Sequence, residues 1–337
     1  MTERARTQDS GGEPQARGPA PPPAAAGGLA ERVLALQRVA GNAAVGRLLQ
    51  RKPLIASDYK SLNALKQEIE IRNIPRTKVE IPRDDRGGPP MTVEVPARVV
   101  VGYPKAGLTE LNELSESTVT QAELKAAKAG GFLDKAALGL SHPELIWYRS
   151  DLEAIEKLSF VKKNTSGSAI GHVSDAMLTH VKPATKSKAA TEGRRNMLLH
   201  VFGQAVITTL FGRGAADLAG DIHERDMASL ISGTITPAEE KGAIDNYADM
   251  INNVYGQQLG AQLASSLGVG GGTTWDPALT TQYVNAAQAW IAGEMGWKMS
   301  DFKDTDPVIV KFTALLNEVT GHQPAAPQPA PVPTPTP

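Results

Sequence analysis

The run Met197-Leu198-Leu199-His200-Val201-Phe202-Gly203-Gln204-Ala205-Val206-Ile207-Thr208-Thr209-Leu210-Phe211-Gly212 decides what kind of molecule this chain builds. It is the longest apolar stretch of the 337 residues. His200 and Gln204 interrupt it, and it is shorter than the roughly 20 residues a bilayer-spanning helix needs. Apolar side chains on nearly every side predict a helix buried in a core rather than one lying on a surface. A histidine within such a helix needs a partner, because an unpaired buried polar group costs roughly 1–3 kcal/mol.

Outward from this segment, helical periods recur near 108–130, 144–160, 191–211, 213–231, 237–264, 277–295 and 306–320. Thr236-Pro237-Ala238-Glu239 has the form of a helix start, with Thr236 as N-cap, Pro237 at the first position and Glu239 closing a capping box. Trp275, Trp290 and Trp297, with Tyr283 and Met295, are expected to form the core stripe of the last helices. The β signal is confined to Lys78-Val79-Glu80-Ile81, Thr92-Val93-Glu94-Val95 and Arg98-Val99-Val100-Val101. Pro82 and Pro96 restrict these strands to a hairpin or an edge ribbon. The fold class expected is therefore mainly α: a multi-helix globular body with a small β-hairpin or ribbon and disordered N- and C-terminal tails.

Composition divides the chain further. Residues 1–28 are Ala, Pro, Gly, Gln and charge, which predicts a disordered head. Residues 29–52 place Leu29, Val33, Leu36, Ala40 and Ala43 at spacings of three and four among Arg32, Arg38, Arg47 and Arg51, which predicts a basic amphipathic helix. Residues 53–107 are expected to hold a helix and the β-ribbon, 108–322 the helical body, and 323–337 a Pro-rich disordered tail. Lys and Arg total 35 against 36 Asp and Glu, a net charge of −1 that gives no global field to attract nucleic acid or an anionic membrane. The absence of cysteine leaves His and carboxylates as the strong metal ligands. Residues 1–28 contain no apolar signal core, so the expectation is a chain made in the cytoplasm without a cleaved signal, its export left to a dedicated apparatus.

The residues that invite chemistry lie between 196 and 256. Asn196 and His200 are four apart on one helix, and His223-Glu224 closes the next helical segment. Asp245, Asp249, Asn252 and Asn253 stand at i, i+4, i+7 and i+8, so both carboxylates and an amide share a face. Glu224 and Asp249 are the expected partners of a buried His200. Two His and two carboxylates, His200, His223, Glu224 and Asp249, could hold a divalent metal whose bound water is a hydrolytic nucleophile. Alternatively His200 or His223 acts as a metal-free general base oriented by Glu224 or Asp249, with Asn253 positioning substrate or backbone. The third possibility is a polar network that only fixes helix packing. Met227 stands where a zinc-protease motif needs its second His, so that motif is not met. The stretch Thr165-Ser166-Gly167-Ser168-Ala169-Ile170-Gly171-His172 is expected to be a loop, and Arg194 or Arg195 is a candidate for binding an anionic substrate group.

Two resemblances bear on function. Leu36-Gln37-Arg38-Val39-Ala40-Gly41-Asn42-Ala43-Ala44-Val45-Gly46-Arg47-Leu48-Leu49-Gln50-Arg51 resembles a short motif near the N-termini of proteins associated with bacterial extracellular contractile injection systems. It implies a cargo or delivery role, with residues 29–52 docking on a component of the apparatus. The order N-x-x-x-H, FG-x-x-A, HE, D-x-x-NN-x-x-G over 196–256 is similar to an uncharacterised helical domain of predicted bacterial secreted toxins. In this chain Leu199 precedes the first His and Val201-Phe202 follow it, where that domain has a basic and then aromatic residues. Together they imply an effector-like cargo with a hydrolase-type domain using His200, His223, Glu224, Asp249 and Asn253. The alternatives are a non-enzymatic cargo, adaptor or structural component, and a membrane-active protein inserting residues 197–212.

Overall fold

The structure, a computed structural model, describes residues 52–81, 90–103, 112–116, 123, 148–159, 168–182, 187–224 and 228–321. The expected disordered ends and all but the last residue of the basic helix lie outside the described residues. Within them the chain is mainly helical, with a small antiparallel β component, as the periodicity predicts. The helices are α1 Leu62–Leu65, α2 Arg149–Ser159, α3 Ala169–His180, α4 Lys188–Phe211, α5 Arg213–His223, α6 Ala228–Ser232, α7 Glu240–Leu267, α8 Pro277–Met295 and α9 Pro307–Val319. The strands are β1 Glu70–Ile74, β2 Thr77–Ile81, β3 Met91–Val95, β4 Arg98–Gly102 and β5 Asn112–Ser115.

The central helix is α4. Ser187 caps it, its hydroxyl accepting from the Ala190 N–H, and from Met197 to Leu210 every residue except the half-buried Leu199 is buried. The segment that might have been taken for a membrane span is thus the core itself. No helix among the described residues is long and apolar enough to cross a membrane. Alongside α4 runs α7, and the two are parallel: Asn196 meets Asp249, His200 meets Asn253 and Gln204 meets Gln257, a constant offset of 53 residues. Two glycines seat this pair. A Cβ on Gly256 would stand 2.4 Å from the Val201 carbonyl oxygen, and one on Gly260 2.3 Å from that of Ala205, so only glycine lets the backbones come this close.

The long α7 spans two cores. Its first half, through Ile244, Tyr247 and Ile251, packs with Leu54, Leu65, Ile69, Val99, Val101 and Leu114 of the β layer. Its second half, through Tyr255, Leu259 and Leu263, joins Met177, Phe202, Tyr283, Ile291 and Phe312 in the larger helical core. Trp275 and Tyr283 are buried in that core, and Trp290, Met295 and Trp297 pack against it, as the stripe predicts.

The β component is one antiparallel ribbon kinked in the middle. The pairings Glu70↔Gly102, Ile74↔Arg98, Thr77↔Val95 and Ile81↔Met91 keep a single register throughout. Pro75 and Pro96, which cannot donate to a ladder, divide it into the β2-β3 hairpin and the β1-β4-β5 sheet. At the kink the Ala97 N–H is taken up by Glu116, whose carboxylate also accepts from Arg76.

Three expectations need correction. The helix expected over 108–130 contains strand β5, because Leu114 opposite Val99 closes the sheet core and this burial outweighs a weak helical period. Of the expected loop at 165–172, the described residues 168–172 form the entrance to α3: Ser168 caps it at Gly171 N (2.8 Å), and His172 is already helical, while 165–167 lie outside the described residues. The single helix expected over 213–231 is two, α5 and α6. The capping box at Thr236 forms through Glu239, whose carboxylate accepts from both the Thr236 N–H and hydroxyl, but regular α7 starts only at Glu240.

Candidate functional site

The parallel α4·α7 seam carries three polar rungs at successive turns: Asn196 with Asp249, His200 with Asn253, Gln204 with Gln257. On each helix the residues are i, i+4 and i+8, so each rung residue lies on one shared face. Asn196 Nδ2 donates to both Asp249 carboxylate oxygens, at 3.0 and 3.1 Å. His200 Nδ1 is 2.9 Å from Asn253 Oδ1. Gln257 Nε2 donates to Gln204 Oε1 at 3.4 Å.

Glu224 enters this seam from the end of α5, where it is the C-cap residue and its N–H bonds to Gly220 O. Its Oε1 lies 3.6 Å from His200 Nδ1, and Asp249 Oδ2 lies 3.4 Å from His200 Nε2. The imidazole is thus held edge-on between two carboxyl groups, all three residues at most 8% exposed. Glu224 Oε1 is buried and has no hydrogen-bond partner, although Asn253 bonds to the carboxyl group. The His223 ring is tilted against that of His200 with centroids 5.4 Å apart. Ligand atoms of His200, His223 and Glu224 all fall within 4.8 Å of one another.

Electrostatics follow from this burial. Loss of solvent pushes the Glu224 carboxyl up to about 8; His200 opposes the shift, and Asp249 and Asp245 add to it. Asp249 is raised well above the usual carboxylate range, again chiefly by burial, with Asp245 adding and the Asn196 bond opposing. His223 is reached by solvent at the mouth of the site yet surrounded by protein in the concavity, and burial first, then His200, lowers it to about 4. Perturbed acids and bases gathered in one cleft are the usual mark of a functional site.

That cleft is a cavity of about 370 Å³ beside the seam. His200, Gln204, His223 and Asn253 form its polar side, and Ile155 of α2, Ile170 of α3, and Leu199 and Ile207 of α4 its apolar side. Gly220 brings α5 close: a Cβ there would be 3.0 Å from Gln204 Nε2 and 3.1 Å from Asn253 Nδ2.

All five residues expected at the site converge, but not in one role. His200, His223 and Glu224 form the three-donor group, whereas Asp249 lies on the opposite edge of the imidazole. Asp245 is exposed, and Asn252 clamps the Leu54 backbone while also bonding to the Asp249 carboxyl. Neither Arg194 nor Arg195 lines the cavity: Arg194 sits 5.0 Å over the Trp297 ring, and Arg195 pairs with Asp175. Gln204, Gln257 and Gly220, together with the isoleucine wall, were not anticipated. Extending Asn196-His200 and Asp249-Asn253 by one more turn would have found both glutamines.

The donor set suits a divalent cation of the zinc type. Tetrahedral coordination with bonds of about 2.0–2.1 Å sets ligands about 3.3 Å apart, close to the 3.6 Å between His200 Nδ1 and Glu224 Oε1. If Nδ1 held a metal, the His200 proton would lie on Nε2 facing Asp249, a carboxylate–histidine arrangement that Asn196 would anchor. Nδ1 must then give up Asn253 Oδ1. Comparison with protein-family models, curated proteins and solved structures finds no match.

Proposed function

We propose that this chain is an effector-like cargo of a bacterial contractile injection system whose helical body is a metal-assisted hydrolase. The observation that supports the chemistry best is the buried, unpartnered Glu224 Oε1 beside His200 and His223, at the side of a cavity large enough for a small substrate. A buried carboxyl oxygen left without a hydrogen-bond partner is costly, and a cation that displaces the Glu224 proton would satisfy it.

In this proposal His200, His223 and Glu224 hold the ion, which supplies a water acidified toward neutral pH. Asp249, fixed by Asn196, orients the His200 ring and stabilises its Nε2 proton. Asn253 bonds to both His200 and Glu224 and so positions the two donors relative to each other. Delivery is proposed on the strength of the injection-system motif in residues 36–51, with 29–52 as the docking segment.

Elemental analysis of the purified full chain tests the metal reading. One equivalent of zinc or manganese is expected in the parent and none in the His200→Ala/His223→Ala variant, with circular dichroism showing that both are folded. A folded parent that takes up no divalent ion from micromolar solution would leave the cluster as a packing network and favour a non-enzymatic cargo or adaptor.

A further inference from the structure

The substrate class is written in the other side of the cavity. Ile207 lies seven residues beyond His200 on α4, about 10 Å along the axis, and both line the same space. Ile155 and Ile170 face that stretch from α2 and α3. At Gly203 the two elements close in, since a Cβ there would be 3.3 Å from the Ile170 side chain. None of the described lining residues is Lys or Arg, whereas binding of phosphate groups relies on such cations. A volume of about 370 Å³ accommodates about a dozen heavy atoms at roughly 30 Å³ each.

From this we infer that the cavity takes the aliphatic chain of a neutral ester or amide of about six to ten carbons, with its carbonyl beside His200 and His223 and its tail running toward Ile207. The inference rests on the hydrolytic proposal above. Water adds to the carbonyl carbon, the acyl C–O or C–N bond breaks, and the leaving alcohol or amine takes up a proton from the site. Gln204, midway along the polar side, limits the apolar surface to one flank, so the chain lies against Ile155, Ile170 and Ile207.

Calorimetric titration separates this inference from the metal proposal. Straight-chain primary amides of two to twelve carbons are titrated into the full chain without metal, and the matching hydroxamic acids into the zinc-loaded chain. Affinity in both series is expected to rise about fourfold per methylene until the cavity is full and then to level off. Ile207→Phe should move the plateau to shorter chains with zinc uptake unchanged, and Ala219→Leu, from the α5 wall, should do the same if the first variant fails to fold. Affinity that ignores chain length, or a dibutyl phosphate that binds as tightly as an amide of equal carbon number, overturns the inference. Zinc uptake without the chain-length series sinks this inference alone; the series without zinc uptake sinks the metal proposal and leaves the cavity assignment standing.

Discussion

Asn252 and Asn253 are neighbours on α7, both 1% exposed, and they serve opposite ends. Asn252 accepts from Leu54 N (2.8 Å) and donates to Leu54 O (2.9 Å), gripping one residue of a distant segment as a strand would. The helical core repeats the device twice: Asn285 grips Phe302, and Asn317 grips Trp275, with every bond between 2.8 and 3.0 Å. Asn252 also reaches the Asp249 carboxyl, but Asn253 bonds to titrating side chains at the edge of a cavity, beside a carboxyl oxygen with no hydrogen-bond partner. A clamp that is fully paired holds the fold. A cluster that is incompletely paired and opens on a cavity is available for a ligand.

The sharpest way to break this contrast is to remove a clamp. Asn317→Ala leaves the Trp275 N–H and C=O buried and unpaired, so unfolding free energy should fall by about 3 kcal/mol in urea titrations, and Asn252→Ala should behave alike. Asn253→Ala should cost only about 1 kcal/mol, because water can enter the cavity and take its place. Equal losses for Asn252→Ala and Asn253→Ala would show that both are structural.

Next in size is the pH dependence of the cluster. Glu224 titrates near 8 when folded and near 4.5 when unfolded, so the native state holds a proton that the unfolded chain has released between these values. Parent stability should therefore fall as pH rises from about 4.5 to about 8, by on the order of 2 kcal/mol, and Glu224→Gln should reduce that fall, leaving the part that the raised Asp249 carboxyl contributes in the same direction. His223 has the opposite slope. Its folded value of about 4 lies below the ordinary 6.5, so it withdraws stability as pH drops through that window. Thermal melts from pH 4 to 9 read both, and an unchanged pH profile in Glu224→Gln would remove the perturbed carboxyl from the account. Zinc should raise the melting temperature most at pH 8 and above, where the carboxylate need not lose a proton to bind it.

The smallest effect is expected at the third rung. Gln257 makes a long bond to Gln204 and a second bond to the Asp217 carboxyl, and its Oε1 has no partner, so Gln257→Leu should change stability by about 1 kcal/mol or less. A larger loss would place this rung among the clamps.

Much of this arrangement was legible in the sequence, and the remainder was hidden for identifiable reasons. The apolar run around His200 announced a buried helix, and the spacing of Asn196, His200, Asp249 and Asn253 announced shared faces. The pairing of those faces at a constant offset could not be read, since nothing in one helix states which helix lies against it. Strands β1 and β5 were missed because Glu70-Ile71-Arg72-Asn73-Ile74 and Asn112-Glu113-Leu114-Ser115 have few β-formers and owe their conformation to pairing with β4. The clamps at Asn285 and Asn317 lie among other polar residues of α8 and α9, with nothing local to single them out, and their partners lie 17 and 42 residues away. The start of α3 was obscured by Gly167 and Gly171, although Ser168 was in place to cap it.

The glycine seat at Gly256 and Gly260 also bears on how such a chain can change in length. Contact between the backbones, rather than the span of chain joining α4 to α7, fixes which residues face each other. An extra residue at Gly233, in the turn after α6, should be absorbed there and leave every rung aligned. The same insertion between Asp249 and Gly256 would rotate everything beyond it by about 100°, sending Gln257 and the glycines away from α4 while Asp249 stayed. Length variation in this molecule is therefore cheap in the connection and ruinous within the seam.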